Sequence, residues 1–443
     1  MIPGFLYRKV SVAMISRAGM GTLPARRLPI NFQVALLVLL MTGFVQTNAV
    51  GQVHSSGFAA TPTSGIVATP ASGLVSTPVP GIASTPGPGI VVTPASGIAG
   101  YEHVSSDSPS YEPGLSIDFP SGEIRKTGWS DMMPKTMQGN YYNEFWTYHF
   151  YLENDLHVHI TFSLANFGTF KSAVSGGKLF VSNFKGGNYH VFREFRQELF
   201  MVDDSLQKMR LHPGRDIFFS GALPDSHRVR FATSKGGVDY LVDLSFSDIE
   251  EGMTWGDGVF RVRGDEMGLF IHIPKARVTG VVAINGDTLR VSGTAYMDHT
   301  YQTDLSSKVI DKGFRYVSHH DDGYRIGFFL LPSKRRGEEV VGWSLIQENG
   351  KQNMRKPVRI NVRGSKPVDD RPVPLGIEII YEDDEREILV RQELYQHVSF
   401  LHEVTGIRRR LARNFLGGEV IEYVGTGTLD NRLPVHYHYF IVH

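Results

Sequence analysis

From residue 114 onward the chain is a succession of short alternating or apolar runs, separated by glycine-rich turn signals. The first series includes Phe145–Leu152, His157–Leu164, Lys178–Phe184, Arg228–Ala232, Asp239–Phe246, Arg277–Ile284 and Thr288–Tyr296. A second series includes Gly313–His319, Tyr324–Leu331, Val340–Gln347, Leu375–Tyr381, Glu387–Gln396, Gly418–Thr426 and Val435–Val442. Between them stand Gly176-Gly177, Gly186-Gly187-Asn188, Asn285-Gly286-Asp287, Asp321-Asp322-Gly323 and Asn349-Gly350, residues that enter tight turns at little steric cost. Many short antiparallel strands at this spacing predict an all-β sandwich or barrel. The roughly 330 residues involved are too many for one small barrel, so two are expected, joined near residues 300–312. Helix is expected only over Asp203–Met209 and part of Ser399–Leu416.

Composition agrees and narrows the chemistry. There are 27 Phe, 18 Tyr and 47 Gly among 443 residues, a balance that favours strands and turns. Lys and Arg together number 45, as do Asp and Glu, so no global field draws the chain to nucleic acid. Cysteine is absent, which excludes disulfides, thiol catalysis and cysteine-ligated metals.

The first 113 residues read differently. Arg26-Arg27, the apolar stretch Val34–Val45 and Thr47-Asn48-Ala49 follow the order of an export signal, with cleavage expected after Ala49. Gly57, Gly65, Gly73, Gly81, Gly89 and Gly97 then recur every eight residues, with Thr-Pro pairs between them. Proline at that period disfavours helix and central strand, and the repeat lacks the apolar surface for a core. The organisation predicted is a signal peptide at 1–49, a low-complexity linker at 50–113, and barrels at 114–302 and 303–443. The protein is therefore expected to be exported, to the periplasm, cell envelope or exterior.

The segment Ser292–Tyr301 bears most of the candidate chemistry. On a strand, Tyr296 and Asp298 share one face and His299 takes the other. A carboxyl in apolar surroundings is pushed towards its neutral form and becomes a proton donor. The alternative is a polar strand end, with Asp298 and His299 pairing with Arg277 or Arg290 across the sheet.

Three segments resemble one known group of proteins. Glu144-Phe145-Trp146-Thr147-Tyr148 resembles its Glu-Trp-Trp-Tyr opening. His272-Ile273-Pro274-Lys275-Ala276-Arg277-Val278 resembles its His-x-Pro-x-Ala-x-Val segment, and Gly293–His299 its Gly-x-Ala/Gly-Tyr/Trp-x-Asp-His signature. The group is the tandem lipocalin-like family of carotenoid 1,2-hydratases (hydroxyneurosporene synthases), AttH-like proteins, survival-factor-like proteins and fungal Diels–Alderases. The sequence departs from it at Thr300-Tyr301-Gln302, where members commonly have Asn or Glu, Trp and Gly. The resemblance implies two tandem lipocalin-like antiparallel β-barrels with an apolar ligand site in or between them.

Hydration of an isolated double bond begins with protonation, so such a site needs a neutral acid, aromatic walls and a dry pocket. Asp298 is the candidate donor, Tyr296 its orienter, and His272 the residue that positions water or tunes Asp298. Trp146, Tyr148, Trp255, Phe270, Tyr296 and His299 are the candidate ligand contacts. No metal or other cofactor is required by that step. The same residues suit a carrier that holds a long lipid or isoprenoid without acting on it, which is the reading preferred from sequence. The enzyme is its alternative, and a surface protein without ligand is the third.

Other groupings read more simply. His157-x-His159 and His436-x-His438 have one-face strand spacing but lack a companion carboxylate, which predicts paired histidines facing solvent or a barrel mouth rather than a metal site. His319-His320-Asp321-Asp322 reads as a hairpin turn, Trp255-Gly256-Asp257-Gly258 as a turn without a P-loop lysine, and Glu382–Glu385 as an acidic hairpin tip. Arg408-Arg409-Arg410 with Arg413 reads as a solvated helix face, with peripheral membrane contact as the alternative.

Overall fold

A computed structural model describes residues 117–135, 141–168, 172–262, 264–304, 309–332, 340–399, 401, 405–416 and 418–442. The expected signal segment (1–49) and repeat linker (50–113) lie outside the described residues.

The described residues are nearly all strand. In order, the elements are β1 (Ile117–Asp118), β2 (Ile124–Lys126), α1 (Trp129–Met132), β3 (Tyr142–Leu152), β4 (His157–Asn166), β5 (Val174–Phe184) and β6 (Gly187–Arg196). Then come β7 (Met201–Asp203), β8 (Lys208–Arg210), β9 (Ile217–Ser220), β10 (His227–Lys235), β11 (Val238–Ser247), β12 (Met253–Trp255), β13 (Val259–Val262), β14 (Asp265–Ile284) and β15 (Asp287–Gln302). The second series is β16 (Ile310–His320), β17 (Gly323–Pro332), β18 (Val341–Glu348), β19 (Lys351–Arg355), β20 (Pro357–Val362), β21 (Ser365–Val368), β22 (Arg371–Pro374), β23 (Gly376–Tyr381) and β24 (Arg386–Ser399). It ends with α2 (Gly406–Leu416), β25 (Val420–Leu429) and β26 (Leu433–Val442).

Two large sheets share one plan. The first runs β6-β5-β4-β3-β15-β14-β11-β10-β9-β8-β7, and the second runs β19-β18-β17-β16-β26-β25-β24-β23-β20. In each, a four-strand meander comes first and the last strand returns to pair with the first. The free edges of each sheet are consecutive in the chain: β6 with β7, and β19 with β20. The first sheet is thereby a nearly closed barrel, and near-closure leaves little edge for stray pairing.

Two local expectations need comment. Asp203–Met209 is not helical: β7 and β8 form a hairpin there, and the Asp203 carboxylate accepts from the backbone N–H of Ser205 (3.1 Å) and Leu206 (3.2 Å). A short acidic side chain that satisfies the next backbone donors favours a turn over a helix. The run Arg277–Ile284 is the second half of a longer strand, β14, that begins at Asp265. Its pairing with β15 is irregular between Ile271 and Ala276, around Pro274, which has no N–H to give the ladder. The β14–β15 hairpin turns on Asn285 (φ 51°) and Gly286 (φ 84°), the left-handed pair that a two-residue turn demands.

Among the described residues, side-chain alternation sorts the apolar residues into three large cores and a small cluster of Tyr142, Phe270 and Tyr301. Inside the first barrel, Trp146, Tyr148 and Phe150 of β3 meet Phe162, Phe219 and Phe231, with Ala295 and Met297 of β15. Tyr316, Phe329, Tyr381, Tyr423, Tyr437 and Tyr439 fill the second sheet's inner side. The third core lies between the sheets. Outward residues of the first, Leu269, Ile271 and Tyr296, pack on Val317, Ile326, Phe328, Trp343 and Leu345 of the second. Burying a side chain of this size contributes about 1.5–3 kcal/mol, so this seam is a cohesive interface and not a loose contact.

Candidate active site at the seam between the sheets

Tyr296 and Asp298 share one face of β15, and His299 takes the other. The face they share is the outward one. Asp298 therefore points away from the barrel interior and into the seam, where its side chain is fully buried. Its partner comes from the second sheet. Arg315 of β16 places Nη2 3.2 Å from Oδ1 and 2.9 Å from Oδ2. The expected pairing with Arg277 or Arg290 does not form; Arg277 instead meets Asp248 at 3.3 Å. Burial raises the Asp298 carboxyl above its ordinary range, outweighing the opposing pull of the Arg315 charge. Burial, and then the nearby Asp298 charge, push the Tyr296 phenol well above 10, so it stays protonated.

Around this pair is a sealed polar cluster. Arg315 Nη1 donates to His149 Nε2 at 2.7 Å and lies 3.4 Å from His438 Nδ1. His149 is held neutral first by burial and then by the neighbouring Arg315 charge. It therefore carries its hydrogen on Nδ1. Lys178 of β5 reaches across to both carboxylate oxygens of Glu422 on β25, at 2.9 and 2.7 Å. Burial alone would raise the Glu422 carboxyl, but Lys178 holds it below the ordinary range.

The two His-x-His pairs face one another across the same seam. Ring centroids of His157 and His436 are 4.9 Å apart, and those of His159 and His438 are 5.7 Å apart. This corrects the expectation of histidines facing solvent or a barrel mouth. Burial takes His157 down to about 4 and His436 and His438 to about 3, so they pack as neutral aromatic rings. Among the described residues, no three ligating side chains converge as a metal site would require. Beside Arg315, a small cavity is lined by His149, His436, His438, Val317 and Val424 among others. Its enclosed part has room for about one water molecule.

Of the remaining predicted residues, only Trp255 packs against the seam core. His272 is buried on the far side of β14, with His299 at 6.0 Å and Phe270 at 6.3 Å between ring centroids. It stands opposite Asp298 and does not tune it. His299 forms a second buried group: Nε2 lies 2.7 Å from Glu144 Oε1, and Nδ1 lies 2.9 Å from the Asp131 carbonyl. Trp146 stacks on His299 at 4.8 Å and donates to the Met132 carbonyl, while Tyr148 bonds His227 at 2.9 Å inside the barrel. Trp255 is half-buried on β12 against Phe119. The aromatic contacts predicted for a ligand are thus spread over two sites and the barrel core. Arg315, His149, Lys178 and Glu422 were not anticipated. The one-face spacing of His157-x-His159 and His436-x-His438 was the signal that came nearest to them.

No protein-family model matches the chain, and no curated protein matches it in sequence. Solved structures do match in shape. An AttH-type protein from Nitrosomonas europaea is similar with a TM-score of 0.51 at 14% identity, over 68% of this chain and 92% of that one. CghA, solved with Sch210972, is similar with a TM-score of 0.50 at 11% identity, over 74% of this chain and 98% of that one. Likeness at such low identity defines a fold: the lipocalin-like β fold of the group that the three sequence segments resemble.

Proposed function

We propose that this protein is an enzyme that protonates an unsaturated, largely apolar small molecule at the seam, with Asp298 as the proton donor. The observation that supports this is a fully buried carboxyl, raised by its surroundings, beside a phenol and linked through Arg315 to a small cavity. An acid so placed is neutral at higher pH than usual and can give its proton to a double bond or carbonyl. Once it has given that proton, the Asp298 carboxylate takes one back from the adding water or from the adjacent carbon, so one cycle balances. The protonation itself asks for nothing beyond the chain's own side chains. The export expected from residues 1–49 belongs to the same proposal, as does peripheral contact between the α2 arginines and an envelope surface.

Carriage of a long lipid or isoprenoid is the second reading. The interior of the first barrel weighs against it as the binding place, because Trp146, Tyr148, Phe150 and Phe162 already fill it. A carrier would have to use the seam too, without needing the Asp298 proton.

The test begins with native mass spectrometry of the protein made in its source organism, with extraction and identification of any co-purifying apolar molecule. Turnover of that molecule is then compared in wild type and Asp298→Asn. A general acid contributes about 10²- to 10⁴-fold, so turnover should fall by that much while the molecule stays bound. Binding with no turnover in either protein would favour carriage. Unchanged turnover in the variant would end the proposal.

A further inference from the structure

We propose that the cavity beside Arg315 is a subsite for the carboxylate head of an otherwise apolar ligand. This rests on the seam being the functional site and deepens that reading by naming the ligand's polar end.

Arg315 is 8% exposed, and a guanidinium keeps its charge even when buried. Its Nη atoms reach Asp298, His149 and, at the long distance of 3.4 Å, His438. Its buried Nε meets no partner. On the same cavity, His438 Nε2 and His436 Nδ1 are also buried without a hydrogen-bond partner; the nearest carboxylate oxygen to His438 Nε2, on Glu422, is 3.8 Å away. A buried arginine leaves a donor unused only at a cost, and here the unused groups sit around space for about one water, or one oxygen atom.

Charge points the same way. Lys178 takes both oxygens of Glu422, so Asp298 is the carboxylate in contact with Arg315, and Glu422 acts on it only at longer range. Burial favours the neutral form of Asp298, so the guanidinium has capacity for a second anion. The rest of the lining named above, Val317 and Val424, is apolar and suits the first carbons behind such a head. Anion binding would also draw Arg315 away from Asp298, strengthening the bias towards a protonated acid. The head group would then arm the acid that acts on the tail.

The test uses the full chain and two probes of equal length, octanoate and 1-octanol, titrated by isothermal calorimetry. Octanoate is expected to bind at least about tenfold more tightly than octanol, the scale of one charge-assisted hydrogen bond. Arg315→Gln should abolish that preference, and Arg315→Lys should restore part of it, with circular dichroism reporting that both variants fold. Asp298→Asn should bind octanoate as tightly as wild type or more so, because a competing carboxylate is gone. Equal affinity for the two probes in wild type would overturn the proposal, as would a preference that survives Arg315→Gln. None of these readouts needs turnover, so a failure of Asp298 as an acid would appear separately.

Discussion

At the scale of single residues, His299 poses a counting problem with a measurable answer. Its Nδ1 faces the Asp131 carbonyl, which can only accept, so that nitrogen carries hydrogen. Its Nε2 faces Glu144 Oε1 at 2.7 Å, so a proton must also lie on that axis. Glu144 further accepts from Tyr142 at 2.7 Å and from the Lys135 backbone at 3.0 Å, and neither Glu144 nor His299 touches solvent. Removing one partner of such a buried pair leaves the other uncompensated. His299→Ala should therefore cost about 3–5 kcal/mol. Glu144→Gln should cost less, about 1–3 kcal/mol, since the amide N–H can donate to a neutral Nε2 but no longer accepts from the Lys135 N–H. Urea unfolding of the two variants decides; equal losses would show that the proton is not shared. The pair also joins Glu144 of the opening motif to His299 of the later signature. Sequence displayed both motifs but gave no reason to connect residues 155 positions apart.

At the scale of elements, alternation was legible and partnership was not. A period of two assigns Tyr296 with Asp298 to one face and His299 to the other, and the structure has that parity. It does not say which face is the barrel interior, nor which strand approaches the other face. Hence Arg277 and Arg290, near on the sheet, were weighed as partners, while the actual partner lies on β16. Likewise Lys178 on β5 and Glu422 on β25 read as ordinary strand polars, although they are a buried bridge between sheets. That bridge yields a prediction. Lys178→Met leaves Glu422 unpaired at the seam and should cost about 3–5 kcal/mol. The double variant Lys178→Met/Glu422→Leu should recover more than half, because an apolar pair of similar volume avoids the desolvation of both charges. A double-mutant cycle by thermal unfolding checks it. No recovery would mean that the surrounding groups, Arg315 and His438 among them, need the Glu422 charge in place.

At the scale of the whole molecule, the repeated strand plan was readable from turn spacing, because each hairpin signals itself locally. The histidine-lined seam between the sheets was not, since it arises only when two outward faces meet. That seam sets the response to acid. His157 and His319 are pulled down by burial to about 4, and His436 and His438 to about 3; His149 and His159 lie beside them and are depressed too. In the unfolded chain each titrates near 6.5. Between about 6.5 and 4 the unfolded state thus binds more protons than the native one, so stability falls as pH drops through that window. Each such histidine contributes up to about 1.4 kcal/mol per pH unit. Glu422, held low by Lys178, adds to the loss on further acidification. Asp298 opposes it, because a carboxyl raised in the fold gains a proton sooner there than in the unfolded chain. One such group does not offset six depressed imidazoles. Cooperative unfolding is therefore expected with a midpoint between about pH 4 and 6, followed by tryptophan fluorescence, since Trp343 is packed in the seam. His157→Phe/His436→Phe keeps two rings packed edge to face but removes two proton acceptors, and should move the midpoint to lower pH. A midpoint unmoved by that double substitution would place the acid-sensitive step elsewhere, with His227, lowered to about 4 inside the first barrel, as the next group to replace.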